Sequence, residues 1–492
     1  MTMATVPHVS QQNLAEAPGN ATRQTSPQNL WSVWWQAIYE LHPAFTRFRT
    51  FLWFAAIVAG FIVRTDSFGT TSFLRALGLD GKHYSSLLKT FHSRAIRLDC
   101  LVQLWTKLVI KIFPNPLRIN GRLVIVGDGT KAPKRGKQMP GVKLLHQESE
   151  GNTKPEWIMG HSLQGVSMLM HAATSILSVP LAMRIHEGTV TSNRDKRTLH
   201  DKMIGLLNGL KLAEPYYFVG DAYYANAKII SGLRTQDNHL ISRMKRNATG
   251  YLPAPAQEGK TRGRPRVYGE KIALMSLFDD PSAMSEMTVR LYGEDVKIKY
   301  RVCDLLWRCA GRMIRVVAVE HPSKGRCLLM STDTTLDAVD ILRAYTYRFK
   351  IEFGFKQATQ LLHTMSYHFW MRTMDPIRRG QSDQYLHRKT AQYREQVKRK
   401  LHAYHVYIQA GLVAQGLLQY LSVAFPETVW RSFGSWLRTI RPGIAPSEFV
   451  TAQALTQRLP DFLVLSDNDQ TFVKFIYERR AQPYQETLPC AA

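Results

Sequence analysis

The chain has 492 residues, 45% of them hydrophobic and 10% aromatic, and carries 64 Lys and Arg against 38 Asp and Glu, a net charge of +26. This composition excludes wholesale disorder, and the length allows about two to four domains. The positive surplus argues against an enzyme of neutral metabolites and for a polyanionic partner, nucleic acid before anionic membrane. The most apolar run, Phe51–Val63, is 13 residues long. A membrane-spanning helix needs about 20, so a buried helix is expected and no membrane partner. No basic segment leads into an apolar core at the N-terminus, so no signal peptide is expected. Cys100, Cys303, Cys309, Cys327 and Cys490 are scattered, without disulfide or zinc spacing, and point to a reduced cytoplasm.

Residues 1–28 are polar, contain Pro and Gly, and predict a disordered tail. From Leu30 to about Phe113 the apolar spacing is helical, giving a helical N-terminal DNA-binding region over 29–118. Within it, TTSFLRALGLDGKHYSSLLKTFHSR reads as two helices around a turn at Gly78–Gly81. That pattern fits a DNA-reading helix-turn-helix and an ordinary helical hairpin equally. Strands are predicted at 122–128, 157–170, 175–188, 216–221 and 239–245, and helices at 198–210 and 222–235. The order βββαβαβ is that of an α/β, ribonuclease H-like sheet, in which the first and fourth strands are neighbours. Residues 119–250 and 336–375 are assigned to this catalytic core.

A Pro/Gly-rich basic linker (251–266) opens a β-rich insertion over 251–335, and 336–362 reads as one long amphipathic helix. Residues 376–492 form a basic, mainly helical C-terminal region, helical to about Arg480. Its first part, 376–400, holds eight Lys or Arg against two acids.

Three carboxylates stand out by position: Asp128 ends the first strand, Asp221 ends the fourth, and Glu352 lies in the long helix. Each has an ordinary reading by itself. Asp128 suits a turn, Asp221 a helix cap, and Glu352 an ion-pair ladder with Arg348 and Lys356. Together they make a cradle for two divalent ions about 3.5–4 Å apart, the arrangement that neutralises charge in phosphodiester chemistry.

The stretches GDGTKAPKRGK, FVGDAYY and YTYRFKIEFGFKQ resemble the three signature blocks of DDE transposases of bacterial insertion sequences. The similar branch is the cut-and-paste, insertion-sequence-four type, which carries a β-rich insertion between the second Asp and the Glu. Here 93 residues separate Asp128 from Asp221 and 131 separate Asp221 from Glu352, enough to hold the insertion. Tyr345, Arg348 and Glu352 fit the Tyr-x2-Arg-x3-Glu part of that branch's helix signature. Thr359 stands where its final Lys is expected, and Lys356 is the nearest substitute. The resemblance covers roughly 120–365.

It implies two Mg2+ ions, or Mn2+, held by Asp128, Asp221 and Glu352, with no small-molecule cofactor. It implies hydrolysis at the ends of a DNA element, then in-line attack of the freed 3′-OH on target DNA. The partners would be double-stranded DNA and a second copy of the chain, in a bacterial, nucleoid-associated cytoplasmic setting. Two other readings stay open: a ribonuclease H-like nuclease that cuts without joining, and a domesticated DNA-binding protein without catalysis.

On a continuous helix, offsets of three and four place Tyr345, Arg348 and Glu352 on one face. Arg348 could then hold a phosphate with Tyr345 beside it, although an Arg348–Glu352 salt bridge is the competing reading. Lys131, Lys134, Arg135 and Lys137 follow Asp128 and would border the DNA path. Arg264-Pro265-Arg266 resembles the core of a minor-groove hook, and a short basic linker is the plainer account. Trp307 in the insertion could hold a base flipped out of the DNA end, and a Trp in a strand core is the plainer account.

Overall fold

In the computed structural model the described residues are 29–67, 69–147, 155–172, 175–255, 265–291, 293–435, 439–441, 443–465 and 470–481. The predicted tail (1–28) and Arg264 lie outside them.

The centre of the molecule is the strand Arg122–Pro133 (β1). Leu123–Val126 are buried on both faces, as expected of a strand inside a covered sheet. Lys143–His146 (β2), Trp157–Ala172 (β3), Ser175–Ile185 (β4), Tyr216–Gly220 (β5) and His239–Arg243 (β6) complete the core sheet. Its order β4-β3-β1-β5-β6, antiparallel on the β3 side and parallel on the β5 side, is the ribonuclease H-like arrangement. β1 does not stop at Asp128 as predicted. The long β3 continues to pair with it, from Asp128 opposite Gly165 to Pro133 opposite Gly160.

The helix Leu199–Gly209 (α6) follows a capping box of Thr198 and Asp201. The next helix, Ala227–Arg234 (α7), starts five residues later than predicted because Asn226 is its N-cap. Residues 222–226 form the turn that leaves Asp221.

The insertion is not a separate layer. Thr249–Pro253 (β7), Tyr268–Ala273 (β8), Ser285–Leu291 (β9), Glu294–Trp307 (β10), Arg312–His321 (β11) and Gly325–Ser331 (β12) join the core through β12, which pairs with β6. The result is one 13-stranded sheet. Part of the predicted linker is therefore strand, since Tyr251 pairs with both Lys271 and Leu306.

The predicted long helix is two helices, Ala338–Tyr347 (α8) and Lys350–Gln360 (α9). At Arg348–Phe349 the ladder tightens to three-residue bonds, with Ile351 N donating to Arg348 O and Glu352 N to Phe349 O.

The described helices of the N- and C-terminal regions form one helical body. Phe48–Val63 (α2), buried throughout Phe51–Val63, packs against Ala391–Ala424 (α10) and Glu448–Leu465 (α12). Trp31 Nε1 of Leu30–Tyr39 (α1) donates to Leu455 O of α12. The pair Thr71–Leu77 (α3) and Tyr84–Phe91 (α4) is joined through Gly78, whose positive φ of 63° ends α3. Its turn is sealed by the C-terminal segment, as Asp80 N donates to Arg479 O and Ala481 N to Gly78 O. Tyr84, Ser85 and Lys89 are exposed on α4. No single helix among the described residues is long and apolar enough to cross a membrane. α10 passes only as a sharply bent pair with Pro426–Phe433, and its second half is buried in the protein.

Candidate active site

The parallel register of β1 and β5 pairs Val126 with Val219. Asp128 and Asp221 each lie two residues further on, so the two carboxylates stand level at neighbouring strand ends. A side chain at Gly127 would drive its Cβ to 2.4 Å from the Phe218 ring, so this first Gly-Asp needs its glycine. Gly165, opposite Asp128 on β3, plays a second packing role: Phe355 of α9 comes within 2.9 Å of where a Cβ would be. The missing side chain lets α9 lie across the sheet with Glu352 in its first turn. From behind, α10 braces α9 through Gln415 Nε2, which donates to Gly354 O at 3.1 Å. Gln415 and Gln419 both donate to the buried carboxylate of Glu448 on α12, extending the brace.

Asp128, Asp221 and Glu352 line one open cleft of about 930 Å³. Asp128 is largely buried, accepting from Gly129 N at 2.7 Å and from Arg348 Nη1 at 2.8 Å. Burial, helped by the charges of Asp221 and Glu352, pushes its carboxyl up to about 6 against the pull of Arg348. Glu352 is more exposed and accepts from Arg348 Nη2 at 2.6 Å. Arg348 thus spans two of the three carboxylates with one guanidinium, a geometry for which its planar fork is suited. The Arg348–Glu352 salt bridge of the competing reading exists, and it is half of a larger bridge to Asp128. Asp221 accepts from Tyr223 N through Oδ1 and from Ser242 Oγ through its backbone oxygen. Tyr345 lies half-buried, with Arg348, Arg243 and Asp221 close enough to act on its phenol.

Lys131, Lys356 and Thr359 line the same cleft. Lys356 is exposed one turn beyond Glu352, so it and Thr359 both face the carboxylates. Arg135 and Lys137 are exposed, outside the cleft. Lys134 corrects the expectation of a DNA contact. It is 4% exposed, donates to the carbonyls of Met365 and Tyr367, and sits 3.7 Å from the Tyr367 ring centre. The pleat turns it inward between exposed neighbours. Burial pushes its ammonium down to about 7. Trp307 is likewise corrected: at 8% exposure it belongs to the core and offers no open ring for a base. Arg266 is exposed and donates to Tyr268 O.

Sequence reasoning missed a polar chain behind the cleft. Gln164 of β3 donates to the hydroxyl of buried Tyr224 at 3.1 Å, and its oxygen lies 2.6 Å from His186 Nδ1. It also passed over Tyr223 at the cleft wall, 47% exposed and stacked on His200 with ring centres 4.3 Å apart. The Tyr-Tyr after Gly-Asp was the available signal for these two. Gln164 had none, because only its cross-strand position opposite Gly129 brings it there.

Three carboxylates are hard oxygen donors of the kind Mg2+ and Mn2+ prefer. Among the described residues no three Asp, Glu, His or Cys side chains form a finished cage for a metal. The donor chemistry fits a divalent cation, which would take over from Arg348 part of the task of neutralising Asp128 and Glu352.

The chain matches the family described as DDE superfamily endonuclease over residues 40–308, more than half its length. It belongs to that family. The matched span of this DDE superfamily endonuclease contains Asp128 and Asp221 and ends before Glu352. No curated protein matches the chain. Among solved structures it is similar to piggyBac transposase, determined by cryo-EM as a synaptic complex with hairpin DNA. The identity is 9%, the similarity covers 89% of this chain and 77% of that one, and the TM-score is 0.36.

Proposed function

We propose that this DDE superfamily endonuclease is a transposase of the insertion-sequence-four type, which cuts the ends of its own DNA element and joins them to target DNA. The observation that carries the reading is the strand register that levels Asp128 with Asp221, with Arg348 tying Glu352 to the same cleft.

Asp128, Asp221 and Glu352 would hold two Mg2+ or Mn2+ ions. Such ions polarise the scissile phosphate and stabilise the attacking and leaving oxygens. The remaining work belongs to the chain. Arg348 fixes the orientation of Asp128 and Glu352 and offers N–H donors to a phosphate oxygen. Lys131 and Lys356 supply positive charge on either side of the cleft, where the strand backbone enters and leaves. Tyr345 packs beside Arg348, behind the carboxylates. Because two element ends must be joined to one target, we place the working unit as a homodimer on paired ends. A cytoplasmic, nucleoid-associated location follows from such a substrate.

The test is incubation of purified protein and Mg2+ with the DNA that flanks its gene on both sides, where this reading expects terminal inverted repeats. Strand-transfer product is expected, and Asp128→Ala is expected to lose cleavage while keeping DNA binding. Cleavage without joined product would replace the reading by a nuclease. Full activity of Asp128→Ala would remove the carboxylate site altogether.

A further inference from the structure

Two basic segments far apart in sequence meet on one surface beside the cleft. Beyond Asp128, the chain alternates. Lys131, Arg135 and Lys137 are exposed, whereas Ala132 and Lys134 are buried. The segment 370–379 runs alongside: Met371 N donates to Gln138 O at 2.9 Å, Ile377 N to Lys137 O at 2.7 Å, and Gln138 Nε2 to Met374 O at 2.9 Å. Met371, Met374 and Ile377 are its buried anchors, which leaves Arg372, Arg378 and Arg379 outside. α10 joins the same surface through Thr373 Oγ1, which donates to Gln396 Oε1 at 2.7 Å. The exposed Arg399 is three residues further on the helix, on the same face.

The acids nearby do not cancel this charge. Asp375 is taken by Lys389 at 3.1 Å and Glu395 by Arg94 at 2.8 Å. Among the described residues no carboxylate pairs with Arg135, Lys137, Arg372, Arg378, Arg379 or Arg399. Trp370, 62% exposed, lies at Gly136 in the middle of the surface, its indole nitrogen 2.9 Å from where a Cβ there would be. Unpaired cations around an open indole suit a nucleic-acid backbone with its sugars.

We propose that this surface is a duplex-DNA track leading away from the catalytic cleft. The proposal rests on the transposase reading for its location relative to the cut. β1 carries the chain about 16 Å from Asp128 to Pro133, and the two residues after it bring Arg135 to about 20 Å. At a rise of about 3.4 Å per base pair, the track grips the duplex about six base pairs from the scissile phosphate. Its ligand is the phosphate backbone, so its contribution is independent of sequence.

The experiment uses the full chain with Arg372→Glu, Arg378→Glu and Arg379→Glu combined, and a random-sequence DNA duplex as probe. Binding is read by fluorescence anisotropy over a range of salt concentrations. An affinity loss of at least about tenfold is expected, with the slope of log K against log salt shallower by about 2 to 3. Wild-type affinity and slope would overturn the track. So would heparin binding as tight as DNA and equally dependent on the three arginines, since the surface would then be a general polyanion patch. Thermal melting reports folding of the triple variant. Should it fail to fold, Arg135→Ala with Lys137→Ala takes its place and is expected to make the slope shallower by about 1 to 2.

Hydroxyl-radical footprinting of Asp128→Asn on an element end tests the position. Protection about six base pairs from the cut is expected, lost when the triple substitution is added. Protection unchanged by the triple substitution would overturn the placement. These readouts need no cleavage. A chain that binds through the track and cuts nothing would refute the transposase reading and leave the track standing.

Discussion

Arg348 in the cleft and Arg64 in the helical body are both arginines that tie distant elements together, and they do it in opposite ways. Arg64 follows α2 and is 6% exposed. Its guanidinium donates to Ser72 Oγ, Tyr407 OH and the carbonyls of Leu362 and His363, and lies 4.5 Å and 4.6 Å from the ring centres of Phe61 and Phe73. All of those partners are neutral and fixed by packing. Arg348 meets two carboxylates at the edge of an open cleft, and Glu352 is half in solvent. A buried charge held by neutral acceptors has nowhere else to go and acts as a staple. A charge shared between two carboxylates that also suit a cation is exchangeable. The first geometry serves folding, and the second serves chemistry.

The largest expected effect separates the two. Arg348→Ala should lower the cleavage rate by about 10²- to 10³-fold while costing only about 1 kcal/mol of stability, read by denaturant unfolding. Arg64→Met should do the reverse. It strips donors from buried carbonyls and a cation from two rings, at a cost of about 3 kcal/mol, with cleavage kept at low temperature. A large stability loss in the Arg348 variant, or a mild one in the Arg64 variant, would break the contrast.

A third measurement sharpens it through pH. Asp128 titrates near 6 in the folded chain, above its ordinary 3.8, so the folded state binds its proton more readily than the unfolded state does. That contribution to stability is complete below about pH 4 and is lost as pH rises through 6. With a chelator present, the stability of wild type relative to Asp128→Asn should therefore rise as pH falls from 6 to 4, since the buried histidines act equally on both chains. An unchanged difference across that window would assign the titration elsewhere. The smallest effect is at Trp307. Trp307→Phe should change stability by less than about 1.5 kcal/mol and leave cleavage of element ends unaltered, as befits a core ring.

Much of the core was legible because its signals are local. Leu-Val-Ile-Val before Gly-Asp and Tyr-Tyr-Phe-Val before Gly-Asp announce two buried strands ending alike, and the structure sets them side by side. The helix at 199–209 was visible from its leucines and Met203 at helical spacing, and the structure adds the Thr198–Asp201 cap that starts it. The break between α8 and α9 was not. Tyr345 to Lys356 keeps helical spacing throughout, and only a tightened turn interrupts it. Lys134 misled, and Trp307 took its plainer core reading, for a related reason: residue type says what a side chain can do, while the pleat and its neighbours decide whether it faces solvent.

The sequence by itself determined the αβαβ alternation after the early strands, though not the added strand Lys143–His146, and with it the two Gly-Asp strand ends and the excess of positive charge, each written in short-range periodicity and composition. Tertiary structure alone decided that Arg348 joins Asp128 to Glu352, that Gln164 reaches Tyr224, and that the basic residues after Asp128 meet those after α9. Arg348 and Asp128 are 220 residues apart, and Gln138 and Met374 are 236 apart. Such contacts depend on sheet register and helix packing, which the spacing of residues along one segment does not encode.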